Sequence, residues 1–356
     1  MGSKCRIIKS GKEGASLNWS AVKNLLIAIL VAANLFLVYN IARQNKIRGY
    51  IPEDAVEGAV ELLAERGLSV PVECIPLKKV KEPVYESTYS DEYYTQTAQT
   101  LSGSPREMLL ALPEGGFSIT AENGAVVDFD TEFGFRYLKN GISDEMAYTE
   151  ITADSFSSYL ENDRAAGGKR MKALSSLAKS FLNSCNGGDG FLTCETVGGF
   201  YSPEEDATYL LAVQNIGESD VYSHFAVCVF KGDELTAAYG RWYFGGLQED
   251  YSAQIIDQVN ILFSDLNELR LLSFAEYSLT DEFAETAPGA ADTDAGAAAE
   301  PEEVLLPSVT SMNLCYITYW NADKTALYFM PAWQIDHMDG PMVVYNATNG
   351  TTYARK

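Results

Sequence analysis

Between Lys23 and Arg43 the chain runs for 19 residues without a charge, NLLIAILVAANLFLVYNIA. As a helix rising 1.5 Å per residue, such a run covers ~30 Å, about the hydrocarbon thickness of a bilayer. The pattern predicts a transmembrane signal anchor over 19–42, with Trp19 and Tyr39 at the two interfaces where amphipathic rings settle. A buried core helix and a cleaved signal peptide are the alternatives. Cleavage is disfavoured, because the run exceeds the ~7–15 apolar residues of a signal peptide and no small-x-small site follows it before Arg43.

Charge divides at the same place. The residues before Gly49 hold eight of the 26 Lys and Arg but one of the 49 Asp and Glu, so the rest carries 18 cations against 48 anions, a net −30. Five of the eight cations precede the apolar run and three follow it, which predicts a cytoplasmic tail over 1–18 and an extracellular body. So acidic a body is a poor partner for nucleic acid, whose phosphates require a basic stripe. A hydrophobic share of 47% excludes wholesale disorder. Within the span, Ala28 and Ala32 form a small-xxx-small pair and Asn34 places an amide at mid-membrane; these three are the candidate contacts to a partner helix.

The body reads as α+β, with antiparallel sheets each packed by helices. Its expected parts are a helix-plus-sheet unit over 49–150, a second over 151–281, an Ala-rich linker over 282–303 and closing strands over 304–356. A helix opens at Pro52-Glu53 and ends at Gly67, and further helices fit 155–160, 172–182 and 253–272. Strands are predicted at 70–77, 117–120, 125–129, 191–196, 207–214, 224–231, 235–243, 313–320, 326–335 and 342–345, with Asn123-Gly124 turning a hairpin.

Residues for chemistry are scarce. Of the two histidines, His224 lies in an alternating strand and reads as packed. His337 reads as a solvated turn residue, whose neighbours Asp336 and Asp339 would raise its proton affinity. Ser176-x-x-Lys179 has the spacing of penicillin-interacting serine enzymes but lacks their companion elements. Cys185 and Cys194 flank a Gly-rich turn and are the one pair placed to form a disulfide, and no cysteine has zinc-ligand spacing. Asn346-Ala347-Thr348 and Asn349-Gly350-Thr351 have the spacing of glycosylation acceptors. No catalytic, cofactor or metal residue is assigned.

Asn18-Trp19-Ser20 leading into the apolar run, with Asn34-Leu35-Phe36-Leu37-Val38-Tyr39 at its end, resembles the start of YycI-type regulatory proteins of low-GC Gram-positive bacteria and their relative YycH. Near the other end, Met330-Pro331-Ala332-Trp333-Gln334-Ile335, Asp339-Gly340 and Tyr345 to Gly350 are similar to that family's closing strands and to PepSY-like modules. Pro331, Trp333, Gly340, Asn346 and Gly350 carry this C-terminal likeness. The resemblance implies a single-pass, non-enzymatic membrane protein that regulates a two-component sensor histidine kinase controlling cell-wall metabolism through transmembrane and ectodomain contacts. It also implies a YycH-like companion. The alternative reading is a PepSY-like inhibitor or chaperone of an extracellular protease.

Overall fold

The computed structural model describes residues 50–79, 81–88, 99–101, 109–111, 116–121, 124–130, 133–140, 150–152, 155–156, 169–185, 190–284, 306–323 and 326–356, together with residues 23, 30, 34 and 97. Two units are distinguished. In the first, Met1–Glu53 with Leu77–Lys79, Tyr50 forms an antiparallel bridge to Lys78 and the Ile51 N–H donates to Leu77 O at 2.8 Å. The second, Asp54–Pro76 with Val80–Lys356, holds all the strands below.

Helix α1 (Glu53–Ala64) buries Val56, Ala59 and Leu63 at helical spacing. It closes in a Schellman turn, with the Leu68 N–H on Leu63 O and the Gly67 N–H on Ala64 O, both at 3.0 Å. Five strands follow: β1 (Pro83–Thr88), β2 (Leu109–Ala111), β3 (Phe117–Thr120), β4 (Val126–Phe129) and β5 (Gly134–Leu138). After α2 (Lys169–Cys185) come β6 (Leu192–Ser202), β7 (Ala207–Ile216), β8 (Ser219–Lys231), β9 (Glu234–Arg241) and β10 (Gln248–Ser252). Helix α3 (Gln258–Ala284) precedes β11 (Val309–Trp320), β12 (Ala326–His337), β13 (Val343–Asn346) and β14 (Thr352–Arg355).

These fourteen strands form one hydrogen-bonded network in the order β10-β1-β12-β11-β8-β9-β5-β4-β3-β2, with β7 and β6 joined at β8, and β13 and β14 at β12. The network forks twice. One edge of β8 is paired with β7 along its length, while the other meets β11 at Asp220 and Val221 and β9 from Phe225 onward. Ser223, at the changeover, has φ +63°, a left-handed conformation that bends the strand. Strand β12 behaves alike: β11 takes one edge, and β1 and β13 share the other, at 326–329 and 332–335 respectively. Pro331 sits between the two, where a residue with no N–H interrupts neither ladder.

The layers follow from period-2 alternation. On one face of β7–β9, Leu210, Ala212, Ala226, Cys228 and Ala238 are buried in the same cluster as Leu174, Ala178 and Leu182 of α2. On the opposite face Tyr209, Val227, Val229 and Tyr239 pack with Phe200, Ile151 and Phe156, and the Ile151 N–H donates to the Tyr239 hydroxyl at 2.8 Å.

The structure corrects the expected architecture of separate antiparallel sheets, each packed by its own helix, behind a transmembrane helix. The sheet is a single mixed network: β8 and β11 run parallel, and β1 pairs with β12 across more than 200 residues of chain. The physical reason is strand length, since β8 and β12, of 13 and 12 residues, each have room for two neighbours on one edge. Among the described residues no helix is long and apolar enough to cross a membrane. Apart from Lys23, Leu30 and Asn34, the predicted anchor lies outside the described residues.

Ser223→Val should lower stability by about 1–2 kcal/mol, because a β-branched side chain is strained at this φ, whereas Ser223→Gly should be tolerated within about 0.5 kcal/mol. Urea denaturation of the two variants beside the parent chain checks this.

Candidate functional site

The C-terminal strands converge on Ile256, in the extended stretch before α3. Its N–H donates to Ala347 O at 2.7 Å and its carbonyl accepts from Trp333 Nε1 at 3.0 Å, while the Ala347 N–H donates to Pro331 O at 3.0 Å. The helix starts next to this anchor. Asp257 caps it, its two carboxylate oxygens accepting from the Asn260 N–H and Nδ2, both at 2.9 Å. The sequence-predicted start at Ala253 is thus displaced to Gln258, because the Ala253 N–H is given to Glu82 O and the Ile256 N–H to Ala347 O, outside any helix.

Asn346 is buried and accepts from the Thr348 N–H at 2.8 Å and the Thr348 hydroxyl at 2.7 Å; Asn349 repeats the arrangement on Thr351 at 3.0 and 2.8 Å. The two Asn-x-Thr triplets are therefore successive Asx turns. Gly350, with φ +74°, donates its N–H to Asn346 O at 2.8 Å, and a Cβ there would stand 3.3 Å from Ile256 Cδ1. Gly340 lies in the turn between β12 and β13, where a Cβ would come within 2.7 Å of Pro307. Structure thus brings Pro331, Trp333, Asn346 and Gly350 together around Ile256, with Gly340 in the adjoining turn.

Two turns into α3 a carboxylate is buried beside the same strands. Gln258, Ile261, Leu262, Asp265, Leu266 and Leu269 form the buried stripe of the helix, and Asp265 has no exposed surface. Its Oδ1 accepts from the Tyr345 hydroxyl at 2.8 Å and its Oδ2 lies 2.8 Å from His337 Nε2. His337 Nδ1 faces Pro341 O at 2.5 Å, and a carbonyl can only accept. Trp333, Ile335 and His337 alternate onto one face of β12, and Tyr345 joins them as the cross-strand partner of Trp333. Burial alone would push His337 down, but the hydrogen bond and charge of Asp265, the Pro341 carbonyl and Asp336 together hold its proton affinity above the ordinary histidine value. Burial and then the Asp265 charge push the Tyr345 hydroxyl up, so it stays a donor.

The expectation of a solvated turn for His337 is thereby corrected. It ends β12 in a buried position, and the carboxylate that meets it comes from 72 residues earlier in the chain. Asp265 was missed in the sequence, although its signal was present: an acid three residues after Leu262 and four before Leu269, inside an apolar stripe.

His224 is the packed strand residue that the alternation predicts, 1% exposed. Gln214 Oε1 accepts from the Tyr243 N–H at 3.1 Å and from His224 Nδ1 at 2.9 Å, while Gln214 Nε2 donates to Tyr243 O at 2.6 Å. The Tyr243 hydroxyl meets Ser87 Oγ, which donates to Gly246 O at 2.6 Å. His224 Nε2 has no hydrogen-bond partner among the described residues. Burial, with Arg241 nearby, pushes this ring down to about 3, so it is neutral.

Other sequence candidates disperse. Ser176 Oγ donates to Lys172 O at 3.0 Å, one turn back along α2. Cys194 is a free, buried thiol, so the Cys185–Cys194 disulfide does not form; burial pushes the thiol up to about 11. Cys315 is also a free, buried thiol, and Cys228 is buried as well. Of the expected membrane residues, Asn34 is helical and exposed, whereas Trp19, Ala28, Ala32 and Tyr39 lie outside the described residues.

No family model and no curated protein matches the chain. Among solved structures it is similar to the crystal structure of an uncharacterized protein from Eubacterium rectale, at 9% identity and a TM-score of 0.42, over 81% of this chain and 91% of that one.

Asp265→Ala should cost roughly 3 kcal/mol, because it strands a buried imidazole and a buried hydroxyl, while replacing Asp265 and His337 together by Leu should cost less than half of that. Chemical denaturation of both variants checks the difference. His224 predicts acid sensitivity: with a folded value near 3 against 6.5 unfolded, it removes stability as pH falls below 6.5, on the order of 4 kcal/mol by pH 3. His224→Asn, which keeps an N–H for Gln214, should show a shallower loss over that range in thermal melts.

Proposed function

We propose that the chain is a non-enzymatic regulator of a membrane sensor histidine kinase that controls cell-wall metabolism. In this reading it is held at the cell membrane by its N-terminal segment, its acidic body faces the extracellular side, and a YycH-like protein is a companion. The observation that carries the proposal is the junction at Ile256, where Trp333 bonds the carbonyl, Ala347 links the N–H to Pro331, and Gly350, bonded to Asn346, passes close by, with Gly340 in the adjoining turn. The residues behind the C-terminal resemblance act as one structural device that fixes a helix against a sheet, as expected of a module selected for shape and surface. Two further features favour binding over catalysis. Both imidazoles are engaged inside the fold, and the hydroxyl of Ser176 is directed at a backbone carbonyl rather than at Lys179. A body of charge −30 also resists nonspecific contact with an anionic bilayer surface, which leaves association to shaped contacts.

The test is cross-linking and affinity capture of the full, tagged chain from detergent-solubilised membranes of the cell that encodes it, followed by kinase assays in vesicles. A histidine kinase should be enriched, and its autophosphorylation should change at least about twofold, ~0.4 kcal/mol, when the chain is added. Capture of an extracellular protease whose activity the chain suppresses, with kinase output unchanged, would overturn the proposal in favour of the inhibitor reading.

A further inference from the structure

We propose that Asp265, His337 and Tyr345 form a pH-responsive latch, in which His337, with a proton in each of its two contacts, joins Asp265 of α3 to Pro341 in the turn after β12, and loss of one of these protons at alkaline pH opens the link. Both protons are required by geometry. Pro341 O faces Nδ1 and Asp265 Oδ2 faces Nε2, both of them acceptors, so the two contacts are hydrogen bonds together only while two protons lie in them. The Tyr345 hydroxyl already donates to the other carboxylate oxygen at 2.8 Å and brings no charge. When one of the two leaves to solvent, the proton that remains sits on one nitrogen only, and at the other a lone pair faces a lone pair, so His337 no longer bridges Asp265 and Pro341.

The surrounding charges reinforce the direction. Asp336 precedes His337 on β12 and holds the proton more tightly. Glu268, one turn further along α3, is paired with Arg355 of β14, so that cation is already engaged. Asp339, in the same turn as Pro341, is exposed to solvent. The stabilisation is therefore fully present below the unfolded histidine value of 6.5 and is lost as pH rises through the higher folded value. Two further polar contacts hold α3 and the stretch before it: the exposed Arg270 guanidinium donates to Arg66 O, in the turn after α1, at 2.8 Å, and Trp333 Nε1 donates to Ile256 O at 3.0 Å. The latch stands whether or not the chain regulates a kinase.

With two histidines in the chain, the full protein labelled with 13C-histidine gives two ring signals. His224 should stay unchanged between about pH 5 and 9, and His337 should titrate with a midpoint above 6.5. Across that midpoint, amide exchange of 258–272 or of the turn at 338–343, corrected for its intrinsic pH dependence, should rise about tenfold or more. Asp265→Asn supplies an amide hydrogen to Nε2 that pH cannot remove; in this variant the midpoint should fall to 6.5 or below and the exchange of α3 should no longer step with pH. A wild-type midpoint at or below 6.5, or a titration of His337 that leaves exchange unmoved both in α3 and in the turn at 338–343, overturns the latch.

Discussion

A β-strand has two hydrogen-bonding edges, and this fold depends on two strands that divide one edge between two neighbours. β8 serves β11 and then β9; β12 serves β1 and then β13. Through these two divisions, segments separated by hundreds of residues enter one network rather than several small sheets. Each changeover is marked by a residue unsuited to an ordinary ladder. Ser223 takes a left-handed conformation at one, and Pro331, without an N–H, stands at the other with its carbonyl given to Ala347. The second division has a further consequence, because the half of β12 freed from β1 carries Trp333 and His337 toward α3.

What could be read locally follows from local physics. The start of α1 at Pro52-Glu53, the hairpin between β3 and β4 and the apolar stripe of α3 are set by spacings of a few residues, and the structure contains them. β10 escapes such reading because all five of its residues are exposed and no alternation marks it. Val70–Leu77 has the apolar content of a strand, but Pro71 and Pro76 interrupt it and the chain forms a short 3-10 turn at Val72–Cys74. The forks were out of reach for a different reason: periodicity tells which face of a strand is buried, not which partner its edge will find. The same limit applies to the site. Trp333 is conspicuous as a residue, yet its attachment to Ile256, beside that of Ala347, is a tertiary relation across about eighty residues of chain.

The two buried imidazoles show how the interior dictates protonation. His224 has one acceptor in reach, Gln214 Oε1, whose orientation is fixed because the same amide bonds both the N–H and the carbonyl of Tyr243. One proton suffices there, and the cation Arg241 opposes a second. His337 has an acceptor at each nitrogen, so two protons are needed. Burial acts on both rings in the same sense, toward neutrality; the number of facing lone pairs separates them.

The acid inside an apolar stripe also explains why α3 occupies one position. An all-apolar stripe packs by area and shape, and sliding it along a sheet changes the buried area little. A carboxylate that must reach a hydroxyl on β13 and an imidazole at the end of β12 has no such freedom, since a displacement of one turn, ~5.4 Å, removes it from both partners. Arg270 on Arg66 O and the Trp333 indole on Ile256 O act at points before and after it along the helix axis. Three directional contacts on a helix otherwise held by apolar area fix its register, and the only one of the three that can be undone by removing a proton is the one at Asp265.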